Sequence, residues 1–233
     1  MKRYIFTHKD IDPVEGYEII DNRKSVLDHR IWSELAGYKT LFDRLVNEKD
    51  DNGMQLYADG DWISLNHYRR HFDEDLCDRT CIAAPMSFNC TLGQHYQQYH
   101  NGQDVNLCVE AIKEEFPSTL QNFINTMNGN ILIPYNMCIC TVSQFRDYFT
   151  YLYKILENVN KKIGTTTYKQ RLNYVNRHPE LYTGEGKNNE PAYQMRIEAF
   201  LGERISTAYW LLVSKKASVF PCKVNLLEEG MKV

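Results

Sequence analysis

Short apolar runs alternate along this chain with longer stretches in which apolar residues recur every three or four positions. That alternation predicts strands interleaved with helices. Lys2 to Thr7, carrying Tyr4, Ile5 and Phe6, reads as a first strand ending in the polar turn His8-Lys9-Asp10, and Glu18 to Ile20 as a second, shorter one. Trp32, Leu35, Ala36, Leu41, Phe42 and Leu45 stripe a helix between Ile31 and Val46, and Asp50 to Gly53 reads as a turn. Trp62 to Leu65 and Cys81 to Ala84 are strands, the second stopped by Pro85. Leu92 to Tyr99, Val105 to Phe116 and Ser118 to Met127 read as helices, with Pro117 dividing the last two. Ile131 to Ile133 and Met137 to Thr141 are strands around Pro134. Ser143 is placed to cap a long helix bearing Phe145, Phe149, Leu152, Tyr153, Leu156 and Val159, which Gly164 to Thr167 ends. Pro179 to Pro191, with Gly184, Gly186 and Lys187, reads as a mobile loop. Ala192 to Val213 is a second long helical region, and Ala217 to Phe220 a closing strand or tail. Few strands and long helices predict one α/β domain over residues 1–233, built on a mixed sheet flanked by helices.

The strand at Trp62 runs straight into Asn66-His67-Tyr68-Arg69-Arg70-His71. Charged side chains are rarely buried unpaired, so two adjacent arginines serve no purpose inside a strand. A diphosphate does require such groups, because guanidinium presents a fixed fork of donors that matches phosphate oxygens. The end of a strand is also where open α/β sheets place ligands. The plainer reading is a solvated basic turn neutralised by Asp73, Glu74 and Asp75. A second site candidate is Glu203, a carboxylate beside Phe200 and Leu201 in an apolar helical run. Its plainer reading is a surface pairing of Glu203 or Glu198 with Arg204. His100 and Asp104 are spaced to meet at a helix start, most simply as a cap.

Composition narrows the classes. Of 233 residues, 43% are hydrophobic and 12% aromatic, which indicates a folded protein. The net charge of −3 supplies no basic field for nucleic acid. Seven irregularly spaced cysteines, with no apolar leader ahead of them, predict reduced thiols and a cytoplasmic location. Cys138 and Cys140 would share one face of a strand, and with Cys77 and Cys81 they could form a zinc site, though buried apolar packing explains them more simply. No segment approaches the ~18 apolar residues of a membrane helix, so any membrane association would be peripheral.

His67-Tyr-Arg-Arg70 after an apolar strand resembles the hallmark of a bacterial glycosyltransferase family of capsule and O-antigen gene clusters, long described as a domain of unknown function. Tyr4-Ile-Phe-Thr-His-Lys9, Ser33-Glu-Leu-Ala-Gly-Tyr38, Tyr96 to His100 with Asp104, Tyr135-Asn-Met-Cys-Ile139 and Phe200-Leu-Gly-Glu-Arg204 follow in that family's order. Asn22 to Trp32 departs from the Asp/Gly/Asn-rich segment usual there, which leaves the donor sugar open.

The resemblance implies a GT-A-like, nucleotide-sugar-binding fold and inverting transfer from a UDP-sugar, with galactofuranose the relatives' donor, onto a glycan or lipid-linked glycan. It implies diphosphate binding by His67, Arg69 and Arg70, with Thr7, His8, Lys9 and Glu34 also at the donor and Tyr68 and Asn136 at sugar or acceptor. It implies Glu203 as the base that takes the acceptor proton, with Asp75 and then Asp61 as fallbacks. The basic motif stands where many GT-A enzymes hold a metal, so no cofactor is expected. The alternative is Mg²⁺ or Mn²⁺ on Asp73 and Asp75. Two other classes stay open: a non-catalytic nucleotide or anion-binding module, and a metal-dependent phosphoesterase on His67, His71, Asp73 and Asp75.

Overall fold

The structure is a computed structural model that describes residues 1–49, 51–72 and 79–226. Its main sheet runs β2 (Glu18–Asp21), β1 (Lys2–Thr7), β3 (Trp62–His67), β8 (Cys138–Thr141), β5 (Cys81–Ala83) and β9 (Phe220–Cys222). β2, β1 and β3 are mutually parallel, β8 is antiparallel to both its neighbours, and β9 lies parallel to β5. β4 (Arg70–Phe72) turns back from the end of β3 and pairs with β10 (Val224–Leu226). β6 (Met86–Ser87) and β7 (Ile131–Leu132) form a separate two-stranded ribbon.

Buried on both faces, β1 and β3 are continuous apolar runs rather than alternating ones, as parallel strands covered by helices must be. Of the two buried polar residues in β3, Ser64 and Asn66, the second shapes the site. Asn66 is buried, and its amide donates to Tyr4 O at 3.2 Å and Ser64 Oγ at 2.9 Å. Its Oδ1 accepts from Phe72 N at 3.1 Å. One side chain thereby folds β4 back onto β3 and fixes the His67–Arg70 turn.

The helices are α1 (His29–Trp32), α2 (Glu34–Asn47), α3 (Leu92–Tyr99), α4 (Gln103–Glu115), α5 (Leu120–Asn128), α6 (Val142–Ile163), α7 (Tyr168–Arg177), α8 (Pro179–Tyr182), α9 (Pro191–Gln194) and α10 (Ile197–Val213). α6 packs on α4, α10 and α2 to close the main core. Among the described residues, no helix is long and apolar enough to cross a membrane.

Several boundaries depart from the periodicity. The stripe from Ile31 to Val46 is two helices, because Ser33 turns the chain at φ 53°. Thr141 caps α6 in place of Ser143, since only Thr141 has Gln144 at the position that completes a capping box. The stretch from Ala192 to Val213 breaks at Met195 and Arg196. The Pro179–Pro191 segment begins as a helical turn, and α7 follows its own capping box at Thr167 and Gln170. Cys138 and Cys140 do share a face, with sulfurs 3.8 Å apart in the core. No cluster of three metal-ligating side chains occurs among the described residues, and Cys77 lies outside them.

Candidate functional site

A cleft of about 610 Å³ opens at the carboxyl end of β3, between the start of α2, the β3–β4 turn, α3, the 183–190 segment and the first turns of α10. Its volume falls in the range of small-molecule sites. Arg69, Arg70, Arg196 and Arg204 line it against two carboxylates, Glu34 and Glu203. Neither Arg69 nor Arg70 has a carboxylate partner among the described residues. The Arg70 guanidinium lies over the Tyr135 ring at 4.2 Å and that of Arg69 near the Tyr68 ring at 5.2 Å. A cleft with this surplus of positive charge suits an anion.

The histidines are neutral donors and acceptors here. Burial, then Arg70 and Arg69, push the pKa of His67 down to about 3. The Arg69 backbone N–H donates to His67 Nδ1 at 3.2 Å, so the ring proton sits on Nε2. His95 Nδ1 accepts from Arg204 at 3.2 Å, and burial and Arg204 lower its pKa. His100 is held down to about 3 chiefly by burial. Its Nδ1 meets Gln194 Oε1 at 3.2 Å, and its ring stacks on Phe200 at 3.8 Å.

Glu203 occupies the floor. Its Oε1 accepts from the Tyr135 backbone N–H at 2.9 Å and its Oε2 from Arg204 at 3.1 Å. Arg204 is nearly buried, and it also donates to Phe200 O at 3.0 Å. Burial raises the Glu203 pKa, with Arg204 and the Tyr135 amide opposing it. Each carboxylate oxygen keeps a lone pair free, so the group can still accept a proton from the cleft. Gly202 makes this placement feasible, because a Cβ there would lie 2.9 Å from Leu35 Cδ1.

The backbone around the cleft is strained. Ser33, Tyr135 and Asn136 have φ of 53°, 72° and 55°, unusual for residues other than glycine. Asn136 is held by Tyr38 Oη on its carbonyl at 2.9 Å and Ser206 Oγ on its Oδ1 at 2.8 Å. Its amide donates to Glu34 Oε1 at 2.8 Å. Strain of this kind persists only where the surroundings over-determine it, and such residues cluster at functional sites.

The family described as a domain of unknown function (DUF4422) matches residues 74–177. No curated protein matches the chain. The apo structure of the bifunctional glycosyltransferase WbbM superposes with a TM-score of 0.68 at 14% identity, over 98% of this chain and 45% of that one. The chain has a GT-A-like glycosyltransferase fold. It spans less than half the length of that neighbour.

In this GT-A-like frame, five residues singled out from the sequence meet in the cleft: Glu34, His67, Arg69, Arg70 and Glu203. Tyr68 flanks them, its ring 4.3 Å from His67 and 5.2 Å from His8. Thr7, His8 and Lys9 lie alongside through the β1–β3 pairing and the Tyr68 N–H bond to Phe6 O. The Thr7 hydroxyl is spent closing its own turn, accepting from Lys9 N at 3.0 Å and donating to Lys9 O at 2.9 Å. Asn136 is buried behind the wall and braces Glu34 rather than facing the cleft. Asp73 and Asp75 lie outside the described residues, so both the fallback base and the alternative metal pair do too.

Other expectations are corrected. Asp61 sits at the amino end of β3, away from the cleft, where it accepts from Ala58 N at 2.9 Å. Glu198 pairs with Arg171, not Arg204, both fully buried, because α7 packs beside the start of α10. His100 and Asp104 do not pair. Asp104 instead accepts from Tyr96 Oη and Asn101 Nδ2, each at 3.3 Å. Lys187 is turned away and donates to Leu181 O at 2.7 Å. Sequence reasoning passed over His95, Tyr193 and Arg196. Arg196 fell inside the single helix expected from Ala192 to Val213, so its place at the start of α10 gave no local signal.

Proposed function

We propose that this chain transfers a hexosyl group from a UDP-sugar to a glycan or lipid-linked glycan of a growing cell-surface polysaccharide, with inversion. The observation that carries this reading is the meeting of Arg69 and Arg70, free of carboxylate partners among the described residues, with the Glu203 carboxylate in one cleft at a strand end. In this reading the acceptor hydroxyl oxygen attacks the anomeric carbon and its proton passes to Glu203. The anomeric carbon–oxygen bond to the diphosphate breaks, and the charge that develops on UDP is stabilised by Arg69 and Arg70 and by the His67 Nε2–H. Protein cations at this strand end would do the work that a dication does elsewhere. The GT-A-like fold supports nucleotide-sugar chemistry in general terms, and galactofuranose is the first donor to try. A lipid-linked acceptor would bring the protein to the membrane surface.

A thermal-shift series with UDP and UDP-sugars tests the reading, because a ligand that binds only the native state raises the melting temperature. UDP is expected to stabilise the protein and EDTA to leave the shift largely intact. No stabilisation by any nucleoside diphosphate would refute the nucleotide-sugar assignment. Stabilisation lost on chelation and restored by Mn²⁺ would instead put a metal at Asp73 and Asp75.

A further inference from the structure

Arg196 lies 126 positions beyond Arg70, yet it lines the same cleft. Its guanidinium lies over the rings of Tyr193 at 4.6 Å and Phe200 at 5.4 Å. It has no carboxylate partner among the described residues. Its Nε is buried without a hydrogen-bond partner among the described residues, an uncommon state for a strong donor that costs desolvation energy unless something arrives to satisfy it. Arg196 also stands at the start of α10, where the helix dipole makes a cation unfavourable. Ring stacking accounts for where the guanidinium lies, but nothing among the described residues satisfies its Nε or neutralises its charge.

The surroundings say what would satisfy it. His8, at the end of β1, is held toward its neutral form by burial, then by His29, Lys9, Arg196 and Arg69. Arg196 and Arg69 thus act on the same small region from different elements of the fold. Glu34 and Glu203, the carboxylates of the cleft, are already engaged by Asn136 and by Arg204 with the Tyr135 amide. Three arginines without carboxylate partners among the described residues line a shared space, which is the electrostatic complement of a polyanion and not of a sugar hydroxyl.

We infer that Arg196 is a third diphosphate-binding residue, closing on the phosphates from α10 while Arg69 and Arg70 hold them from the β3–β4 turn. The inference rests on the nucleotide-sugar reading and adds to it a residue from the other wall. The aromatic rings of Tyr193 and Phe200 hold the guanidinium plane in place, so little conformational freedom is lost when phosphate binds.

Calorimetric titration of wild type, Arg196→Met and Arg196→Lys with UDP and with inorganic pyrophosphate tests it. Met keeps the apolar contact with Tyr193 and Phe200 but removes the charge, so its unliganded melting temperature should stay close to that of wild type. Its affinity for both ligands is expected to fall by about ten- to hundredfold. Lys keeps a point charge without the fork and should fall between the two. Wild-type affinity in Arg196→Met overturns the inference. If that variant fails to fold, wild-type affinity in Arg196→Lys overturns it instead. Wild type that binds pyrophosphate but not UDP, with the loss in Arg196→Met retained, keeps the phosphate contact and removes the nucleotide reading. Wild type that binds neither removes both.

Discussion

Replacing Glu203 by Gln changes one atom's chemistry and hardly alters the shape of the cleft. Gln Oε1 can keep the 2.9 Å bond from the Tyr135 amide, so the strained Tyr135–Asn136 turn retains its anchor. The amide nitrogen would then face the Arg204 donor that now lies 3.1 Å from Oε2, and that contact is lost. About a quarter of the Glu203 side chain is exposed, so water can take over part of the Arg204 interaction. The net cost to stability should be about 1.5–3 kcal/mol. Loss of a general base typically costs about 10²–10⁴ in rate, or roughly 3–5 kcal/mol of barrier. UDP affinity should stay level or improve slightly, because a negative charge near the diphosphate has gone.

The assay pairs sugar transfer, followed by UDP release, with calorimetric UDP binding on the same preparations. Turnover within threefold of wild type at unchanged UDP affinity would refute the base assignment. A joint loss of binding and turnover would make Glu203 a brace for the turn. A pH series adds a second discriminator. Burial raises the Glu203 pKa, and a base works only when deprotonated, so wild-type rate should fall on the acid side beginning above the ordinary carboxylate range. That limb should be absent from the residual activity of the Gln variant.

Arg171→Ala leaves the buried Glu198 with Asn160 Nδ2 at 2.8 Å and no cation, and should cost about 3–5 kcal/mol, or about 6–20 °C in melting temperature; a change under 2 °C refutes this. Burial raises the Asp104 pKa to about 7, so the folded state holds its proton more tightly than the unfolded chain. Stability should therefore fall as pH rises from about 4 to 7, by about 4 kcal/mol at most, and Asp104→Asn should flatten that slope in denaturant titrations at pH 5 and 8. An equal slope in both proteins would contradict it. Gly186 and Asn188 line the cleft, and Gly184 and Gly186 have φ of 143° and 82°. UDP is therefore expected to slow tryptic cleavage after Lys187, and equal rates with and without UDP would count against closure of this segment over the ligand.

What the sequence disclosed follows how local each signal was. The run from Trp62 to Leu65 and the cations after it gave both the strand and the charged end of the cleft, because strand burial and guanidinium chemistry are properties of neighbouring residues. The boundaries of α3 were readable for the same reason, with Thr91 and Gln94 forming a capping box around an apolar stripe. α7 was readable in principle from Thr167 and Gln170, but its stripe is thin, with few apolar residues to mark a period. The second wall was not readable. Arg196 and His95 gain their setting from contacts between distant segments, and no pattern near either residue announces the other.

The strained backbone carries this furthest. Asn136 is of a type that tolerates positive φ, but nothing in Ser or Tyr marks Ser33 and Tyr135 for it, and a local reading makes Tyr135–Asn136 an ordinary turn after Pro134. The strain is imposed from outside the turn, by Glu203 on the Tyr135 amide and by Tyr38 and Ser206 on Asn136. The Asn136 amide in turn fixes Glu34, one residue after the strained Ser33. A chain of hydrogen bonds thus runs from the floor carboxylate of α10 through the turn to the carboxylate that opens α2. Loosening any member should move the two carboxylates together. That is why Gly202, which lets α10 approach Leu35 closely enough for Glu203 to reach the Tyr135 amide, belongs to the site as much as the charged groups do.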